Sequence, residues 1–259
     1  MAQKKSIIRR LALLVCAAVF LVSAFFLGRD LLIAHREQAA NAELASQVEF
    51  SYQISDTKYA ADGLLSKSDK LWQQNHDMAG WLLIPDTVVN YPVMSPPAGS
   101  PEYYLRRGFD GKYVYSGSLF IDDKCAVDSN HVIIYGHNMK NGVMFGDLPQ
   151  YADVEYAKAH PVIHFDTLRQ ERQFKVLAAF YSRVYGEDEQ GVFRYYQYAD
   201  LSEQAVFEEY LQQARAAALY DTGVTAEYGD RLLTLSTCSY HTDDGRFVVV
   251  AVEVDNADQ

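Results

Sequence analysis

The stretch Thr234-Leu235-Ser236-Thr237-Cys238 alternates apolar and hydroxylic side chains and ends in a cysteine. Such alternation is typical of a β-strand with one face packed against a core. A second β-rich stretch, residues 247–252, follows a polar loop that ends in glycine. We interpret the two stretches as an antiparallel hairpin in which Cys238 and Arg246 face each other. Because directly paired residues project to the same face of a sheet, the thiol and the guanidinium are expected side by side, which makes Cys238 a candidate nucleophile.

From residue 81 onward the chain repeats patterns of this kind. Short β-rich runs are separated by turn residues, which predicts a β-sandwich or a closed barrel. The predicted strands are residues 81–84, 88–93, 118–121, 132–134, 162–165, 173–185, 232–237 and 247–254.

Two longer connections interrupt the predicted strands. Residues 144–160 are expected to be helical in part and to end before Pro161. Residues 201–219 predict a helix with one buried face, made of Ala205, Phe207, Tyr210 and Leu211. This helix belongs to a long insertion, residues 186–230, that precedes the cysteine strand, and the sequence leaves open whether the insertion walls a substrate groove or only packs against the sheet.

The N-terminus predicts a membrane anchor. Residues 1–10 form a basic tail that contains Lys4, Lys5, Arg9 and Arg10. Residues 11–28 follow as a transmembrane segment, an apolar run at the short end of what spans a bilayer. The basic tail favours a cytoplasmic N-terminus, which places the rest of the chain outside the cell. A removed signal peptide is the alternative, with Val22-Ser23-Ala24 as a weak cleavage motif inside the apolar run.

Residues 29–70 are predicted to form a helical stalk and short N-terminal helices. Leu, Ala, Glu and Gln recur there at roughly helical spacing without proline. A short helix is predicted near residues 57–65. Ser66-Lys67-Ser68-Asp69 is a plausible helix start, and another short helix is predicted over residues 70–78.

Composition excludes one class of partner. Hydrophobic residues make up 49% of the 259 residues, which is enough for a sizeable core. The net charge is -11, which argues against nucleic acid because phosphate binding requires a basic face. Cys16 lies in the predicted anchor, and Cys125 lies in a charged loop, where we interpret it as incidental. A disulfide between Cys125 and Cys238 is the structural alternative to a reactive thiol.

The best candidate for a proton carrier is His137. An apolar run, interpreted as a buried strand, ends in Tyr135-Gly136-His137-Asn138. Loops at strand ends are where a rigid scaffold presents reactive side chains. His131 and His137 lack a cysteine or carboxylate at ligand-like spacing, so neither a zinc site nor any other cofactor is predicted.

The cysteine strand, its downstream arginine and the upstream Gly136-His137-Asn138 resemble the sortases. The resemblance is closest to class B sortases, which are cysteine transpeptidases of Gram-positive cell envelopes, and it runs from about residue 71 to residue 254. Further matching pieces are Gly80-Trp81-Leu82-Leu83-Ile84-Pro85-Asp86-Thr87, Asn90-Tyr91-Pro92-Val93 and Gly117-Ser118-Leu119-Phe120-Ile121-Asp122. The resemblance implies an α+β fold: an eight-stranded β-barrel with N-terminal helices and a helical insertion before the cysteine strand. The catalytic domain is then expected over residues 71–259.

The resemblance also implies roles for single residues. Cys238 would attack the threonine carbonyl of a Pro-x-Thr sorting signal in a surface protein and form a thioester. His137 would carry the proton, and Arg246 would stabilise the oxyanion. The acceptor would be an amino group of a peptidoglycan cross-bridge or of a pilin. The weaker predictions for substrate contact are Tyr135, Asn138 and Ser236.

Two other functions stay open at this point. A cysteine peptidase would use the same nucleophile with water as the acceptor. A catalytically silent envelope-binding module would carry Cys238 in a disulfide or buried. Within the sortases, the long insertion and the single N-terminal anchor fit class B better than class A or the pilus-polymerising class C. Residues 96–101 contain no asparagine of the kind associated with class B enzymes that bind Asn-Pro signals, so the outer residues of the signal are not predicted.

Overall fold

The computed structural model describes residues 2–48 and 63–254. The chain divides into two units, Met1–Glu43 and Leu44–Gln259. The first unit is helical and belongs to helix α1, Ala2–Ser46. This helix contains the segment Leu13–Ser46, which is long and apolar enough to cross a membrane, with a mean hydropathy of 2.0 over its most apolar window. Between Leu13 and Leu32, the described large apolar side chains of this helix, Phe20 and Leu21 among them, are largely exposed.

The short helices predicted after α1 are only partly confirmed. Most of the helix predicted near residues 57–65 lies outside the described residues. Helix α2 spans Ser66–Gln74, so the predicted start at Ser66 is confirmed. The prediction of a helix over residues 70–78 is wrong at its end. Asn75 adopts an extended backbone, and its side-chain amide donates to the Phe109 carbonyl, so the chain leaves the helix and enters the first strand at Met78.

Eight strands form a closed barrel in the order β1-β2-β3-β4-β7-β8-β6-β5. The pairs β2–β3 and β4–β7 are parallel, and the other six pairs are antiparallel. Closure removes the free strand edges that would otherwise invite pairing with other chains. The strands are β1 Met78–Leu83, β2 Asn90–Met94, β3 Leu119–Ile121, β4 His131–Tyr135, β5 Val162–Thr167, β6 Gln173–Arg183, β7 Leu232–Cys238 and β8 Gly245–Val254. All eight predicted strands are therefore confirmed, with ends shifted by a few residues.

The connections carry the remaining helices. A 3₁₀ helix at Tyr103–Arg106 lies between β2 and β3. Between β4 and β5, a 3₁₀ helix at Leu148–Ala152 precedes α3, Val154–Ala159, which confirms the helical content predicted before Pro161. The insertion between β6 and β7 contains a 3₁₀ helix at Tyr195–Gln197 and helix α4, Gln204–Ala217.

Helix α4 packs on the outer face of the barrel. Its buried stripe is Phe207, Tyr210, Leu211 and Ala214, the spacing that places side chains on one side of a helix. The prediction that Ala205 belongs to this stripe is wrong, because a residue two positions before Phe207 points to the opposite side, and Ala205 is exposed.

Alternate residues of β7 divide between two cores. Leu233 and Leu235 point into the barrel, whereas Leu232 packs outside against the cluster that α4 forms with β6 and β8. Because side chains alternate along a strand, Ser236 and Cys238 share the outer face with Leu232. The candidate nucleophile therefore lies on the outside of the barrel, on the face that the insertion covers.

Candidate active site

The pairing of β7 with β8 places Cys238 directly opposite Arg246. The sequence-based prediction of this pair is confirmed. The turn between the strands is tight: a Cβ atom on Gly245 would lie 2.3 Å from the Ser239 carbonyl oxygen. The Arg246 guanidinium donates to the carbonyls of Asp244 and Gly245 through Nη1, at 3.2 and 3.0 Å. These bonds hold the guanidinium at the mouth of the hairpin, on the strand position opposite Cys238.

His137 is brought to the cysteine by the parallel pairing of β4 with β7. Tyr135 pairs with Ser236, and continuing this register by two residues sets His137 level with Cys238. Two hydrogen bonds extend the contact beyond β4. The Gly136 N–H donates to the Ser236 carbonyl at 3.2 Å, and the Thr237 hydroxyl donates to the Gly136 carbonyl at 2.7 Å. Glycine at position 136 also lets this segment pack closely on β3, because a Cβ atom there would lie 2.4 Å from the Leu119 side chain.

The His137 ring is oriented by a main-chain carbonyl. Its Nε2 lies 2.8 Å from the Leu105 carbonyl oxygen, and since a carbonyl only accepts, Nε2 carries the hydrogen. Nδ1 has no hydrogen-bond partner among the described residues, so in the neutral ring it holds the free lone pair. Burial lowers the pKa of His137 below its ordinary value, the bond to Leu105 opposes this, and the charge of Arg106 lowers the pKa further. A neutral imidazole is therefore favoured near neutral pH.

The three residues line one cavity of about 410 Å³. Its walls come from the 3₁₀ helix region before β3, the β3–β4 loop, the insertion and the β7–β8 hairpin. Besides Cys238, His137 and Arg246, the residues that line it include Pro101, Glu102, Leu105, Asp122, Asp123, Lys124, Tyr135, Val184, Tyr195, Tyr196 and Ser236. Tyr195 and Tyr196 of the insertion thus line this cavity, whereas the described lining residues include none from helix α4, which packs against the outer face of the sheet.

The three residues predicted to contact substrate are placed differently from one another. Tyr135 lines the cavity, and its hydroxyl donates to Asp122 at 2.9 Å. Ser236 also lines the cavity, but it is buried and its hydroxyl is hydrogen-bonded to the Tyr195 hydroxyl at 2.7 Å. The described residues that line the cavity do not include Asn138, whose amide donates to the Cys238 carbonyl at 2.9 Å.

Tyr195 was missed by the sequence analysis. It is almost fully buried, and burial raises its pKa to about 12, while the Ser236 hydrogen bond and the charge of Arg246 act in the opposite direction. Its neighbour Tyr196 lines the same cavity. Both lie in a 3₁₀ helix of three residues, too short for a periodic pattern to mark an inward-facing residue, so only the fold reveals them. The Leu105 carbonyl carries no side-chain signal either.

Cys125 and His131 are not among the described residues that line this cavity. All three cysteines are free, and Cys125 is buried, which raises its thiol pKa to about 11. His131 is fully engaged: Nδ1 donates to the Tyr198 carbonyl, and Nε2 accepts from the Thr234 hydroxyl at 2.8 Å. The described residues contain no group of three or more His, Cys, Asp or Glu side chains able to hold a metal ion. The cavity that Cys238, His137 and Arg246 line is suited to acyl transfer through a thiol, with a histidine as proton carrier and an arginine as anion binder.

Comparison with known proteins points the same way. A family model described as the sortase domain matches residues 82–254. The chain is 30% identical to sortase B of Listeria monocytogenes over 251 residues, covering 95% of this chain and 96% of that protein. It is 26% identical to sortase B of Staphylococcus aureus, covering 85% and 86% of the two chains. The solved structure of sortase B from B. anthracis in complex with AAEK1 superposes with a TM-score of 0.73 at 29% identity, covering 87% of this chain and 99% of that one.

Proposed function

We propose, since this chain belongs to the sortase family of cell-envelope cysteine transpeptidases, that it cleaves a Pro-x-Thr sorting signal after threonine and joins the protein to an amine. The observation that carries the assignment to particular residues is the cross-strand pair of Cys238 and Arg246, which shares one cavity with His137. A nucleophile, a proton carrier and an anion binder on three neighbouring strands are the parts that acyl transfer through a thioester requires.

In the first half-reaction, neutral His137 takes the proton of the Cys238 thiol at Nδ1, and the resulting thiolate attacks the threonine carbonyl carbon. The carbonyl oxygen gains negative charge, which the Arg246 guanidinium stabilises. One such donor is worth about 3 kcal/mol of barrier, or roughly a hundredfold in rate. As the carbon–nitrogen bond breaks, the protonated His137 gives its Nδ1 proton to the leaving amine. A thioester on Cys238 and a neutral histidine remain.

In the second half-reaction, an amine replaces the thiol. Neutral His137 accepts a proton at Nδ1 as the amine attacks the thioester carbon, and the thiolate leaves. The new amide bond joins the surface protein to the acceptor, and His137 returns its Nδ1 proton to the Cys238 thiolate, which restores the starting thiol and the neutral imidazole. The acceptor is an amino group of a peptidoglycan cross-bridge or of a pilin, and water in its place gives hydrolysis.

The N-terminal helix supports the proposed location. Its apolar segment is long enough to anchor the chain, and the basic residues before it favour a cytoplasmic N-terminus with the catalytic barrel outside. We propose a single-pass membrane protein whose substrates are surface proteins with a C-terminal sorting signal.

The test uses the full chain in detergent micelles with a panel of Pro-x-Thr peptides, with and without triglycine, and mass spectrometry of the products. Cleavage after threonine with triglycine joined to it is expected, and Cys238→Ala abolishes it. Cys125→Ala is the matched control and keeps the activity, because that thiol lies outside the cavity lining. Hydrolysis alone, with every amine offered, would instead identify a peptidase. Absence of any product that depends on Cys238 would overturn the proposal.

A further inference from the structure

The Leu105 carbonyl that orients His137 lies at the end of a short helix, where main-chain carbonyls lack partners within the helix. The 3₁₀ helix spans Tyr103–Arg106, so the Leu105 oxygen is free to accept from the His137 Nε2–H at 2.8 Å. The orientation of the imidazole therefore depends on where this one carbonyl points.

The chain returns over the 3₁₀ helix just before β3 and is bonded to it. The Ser118 N–H donates to the Tyr104 carbonyl at 3.0 Å, and the Ser118 hydroxyl donates to the Arg107 carbonyl at 2.9 Å. These bonds hold the backbone at residue 117 close to the backbone at residues 104 and 105. The segment just before β3 therefore packs directly against the Leu105 carbonyl.

The contact is close enough to exclude any side chain at residue 117. A Cβ atom on Gly117 would lie 2.5 Å from the Leu105 oxygen, 2.8 Å from the Tyr104 oxygen and 2.9 Å from the Leu105 carbonyl carbon. All three are backbone atoms, which have no flexible end that could move aside. Gly117 also has a φ of +62°, in the left-handed region that favours glycine.

We infer that Gly117 is a positioning residue of the active site, which fixes the Nε2–H tautomer and the orientation of His137 through the Leu105 carbonyl. The inference rests on the catalytic role proposed for His137. Gly117 is not among the described residues that line the cavity, so it acts through Leu105 and not by touching substrate. Any side chain at position 117 displaces the carbonyl, breaks the bond to Nε2 and leaves the ring free to change tautomer and rotate.

Gly111 supplies a matched control. It belongs to the same connection and has a φ of +73°, so alanine there meets the same backbone strain as alanine at position 117. The nearest atom to its added Cβ is the Tyr103 hydroxyl at an ordinary 3.7 Å. A difference in His137 tautomer or in kcat/KM between Gly117→Ala and Gly111→Ala therefore results from the contact with the Leu105 carbonyl and not from strain in a left-handed backbone.

The experiment measures the His137 tautomer and the activity in the full chain. The chain is labelled with ¹⁵N-histidine in detergent micelles, and the His137 signals are assigned by their loss in His137→Gln. The wild type and Gly111→Ala are expected to show a fixed Nε2–H tautomer. Gly117→Ala is expected to show mixed tautomers and a kcat/KM for peptide cleavage that is lower by about tenfold or more.

A fixed Nε2–H tautomer in Gly117→Ala, with kcat/KM within about twofold of Gly111→Ala, would overturn the inference. So would any tautomer other than Nε2–H in the wild type. If Gly117→Ala does not fold, Ser118→Ala takes its place, since it loosens the same backbone contact by removing the bond to Arg107, and the same two outcomes decide. The tautomer is read without substrate, so a failure of the proposed transpeptidation leaves this test intact.

Discussion

Cys238 and Arg246 occupy directly opposite positions in the ladder between β7 and β8, on the outer face of the barrel. The pair is created by the hairpin itself, because both side chains project to the same side at its mouth. The guanidinium is held there by two carbonyls of its own turn and, within residues 2–48 and 63–254, by no carboxylate, so its charge stays available to the cavity.

Two replacements of Arg246 distinguish the effect of its positive charge from the effect of its planar arrangement of hydrogen-bond donors. Arg246→Ala is expected to lower kcat/KM by roughly a hundredfold, about 3 kcal/mol, because it removes an oxyanion donor. Arg246→Lys is expected to recover only part of this loss, because lysine lacks the planar fork of donors. The measurement is the rate of peptide cleavage with triglycine as acceptor. Arg231→Lys is the control, since Arg231 is half-exposed and pairs with Glu253 outside the cavity. Equal losses in Arg231→Lys and Arg246→Lys would contradict the role assigned to Arg246.

Asn138 fixes the end of β7 and does not line the cavity. Its amide donates to the carbonyl of Cys238, so Asn138→Ala is expected to lower the free energy of unfolding by about 1 kcal/mol and kcat/KM by about tenfold, with KM little changed. Asn141→Ala, at an exposed position in the following turn, is the control and changes neither quantity. A large rise in KM in Asn138→Ala would instead indicate direct contact with substrate.

Ser236 and Tyr195 are expected to act as one unit. Each hydroxyl is buried and bonded to the other, so Ser236→Ala or Tyr195→Phe alone leaves one partner unsatisfied, at a cost of about 1–3 kcal/mol in the free energy of unfolding. The double variant is expected to cost about 1 kcal/mol less than the sum of the two. Guanidinium unfolding followed by the fluorescence of buried Trp81 measures this. Strict additivity would show that the hydroxyl pair contributes nothing.

Because His131 is buried, the free energy of unfolding is expected to fall in acid. Complete burial lowers its pKa to about 4 from an ordinary 6.5, although its bond to the Tyr198 carbonyl and the charge of Asp122 oppose the shift. Between pH 6.5 and 4 the unfolded chain binds a proton at this residue and the folded chain does not, so stability falls as the pH falls. The expected contribution is about 3 kcal/mol.

The pH dependence of the free energy of unfolding in His131→Gln checks this prediction. The variant is expected to lose stability less steeply than the wild type between pH 6.5 and 4. His241→Gln, at an exposed position, is expected to keep the wild-type slope. The same slope in all three proteins would show that His131 does not govern stability in acid.

Much of the barrel could be predicted from the sequence because its strands are short, β-rich and bounded by turn residues. The pair Cys238–Arg246 could be predicted too, since one hairpin fixes it locally. Helix α4 was predicted from its composition, but its phase was misjudged at Ala205, where one small apolar residue gives little directional signal. The end of α2 was misjudged because tertiary contacts of Asn75, which the sequence does not show, draw the chain away from the helix.

The details of the candidate site depended on the fold. Ser236 is paired with a tyrosine 41 residues away in the chain, and His137 with a main-chain carbonyl 32 residues away. A carbonyl has no residue-specific signature, and Tyr195 lies in a 3₁₀ helix of only three residues. These contacts follow from the register of the parallel strands and from the path of the connections, neither of which a local pattern encodes.

The residue that becomes acylated decides most directly whether Cys238 is the nucleophile. The full chain is mixed with a Pro-x-Thr peptide in the absence of any amine, quenched in acid, and examined by intact-protein mass spectrometry and peptide mapping. We predict an adduct whose mass is that of the peptide up to threonine, located on Cys238, released by hydroxylamine, absent in Cys238→Ala and retained in Cys125→Ala. An adduct on Cys125, one that persists in Cys238→Ala, or no adduct with any peptide that the enzyme cleaves would contradict the assignment.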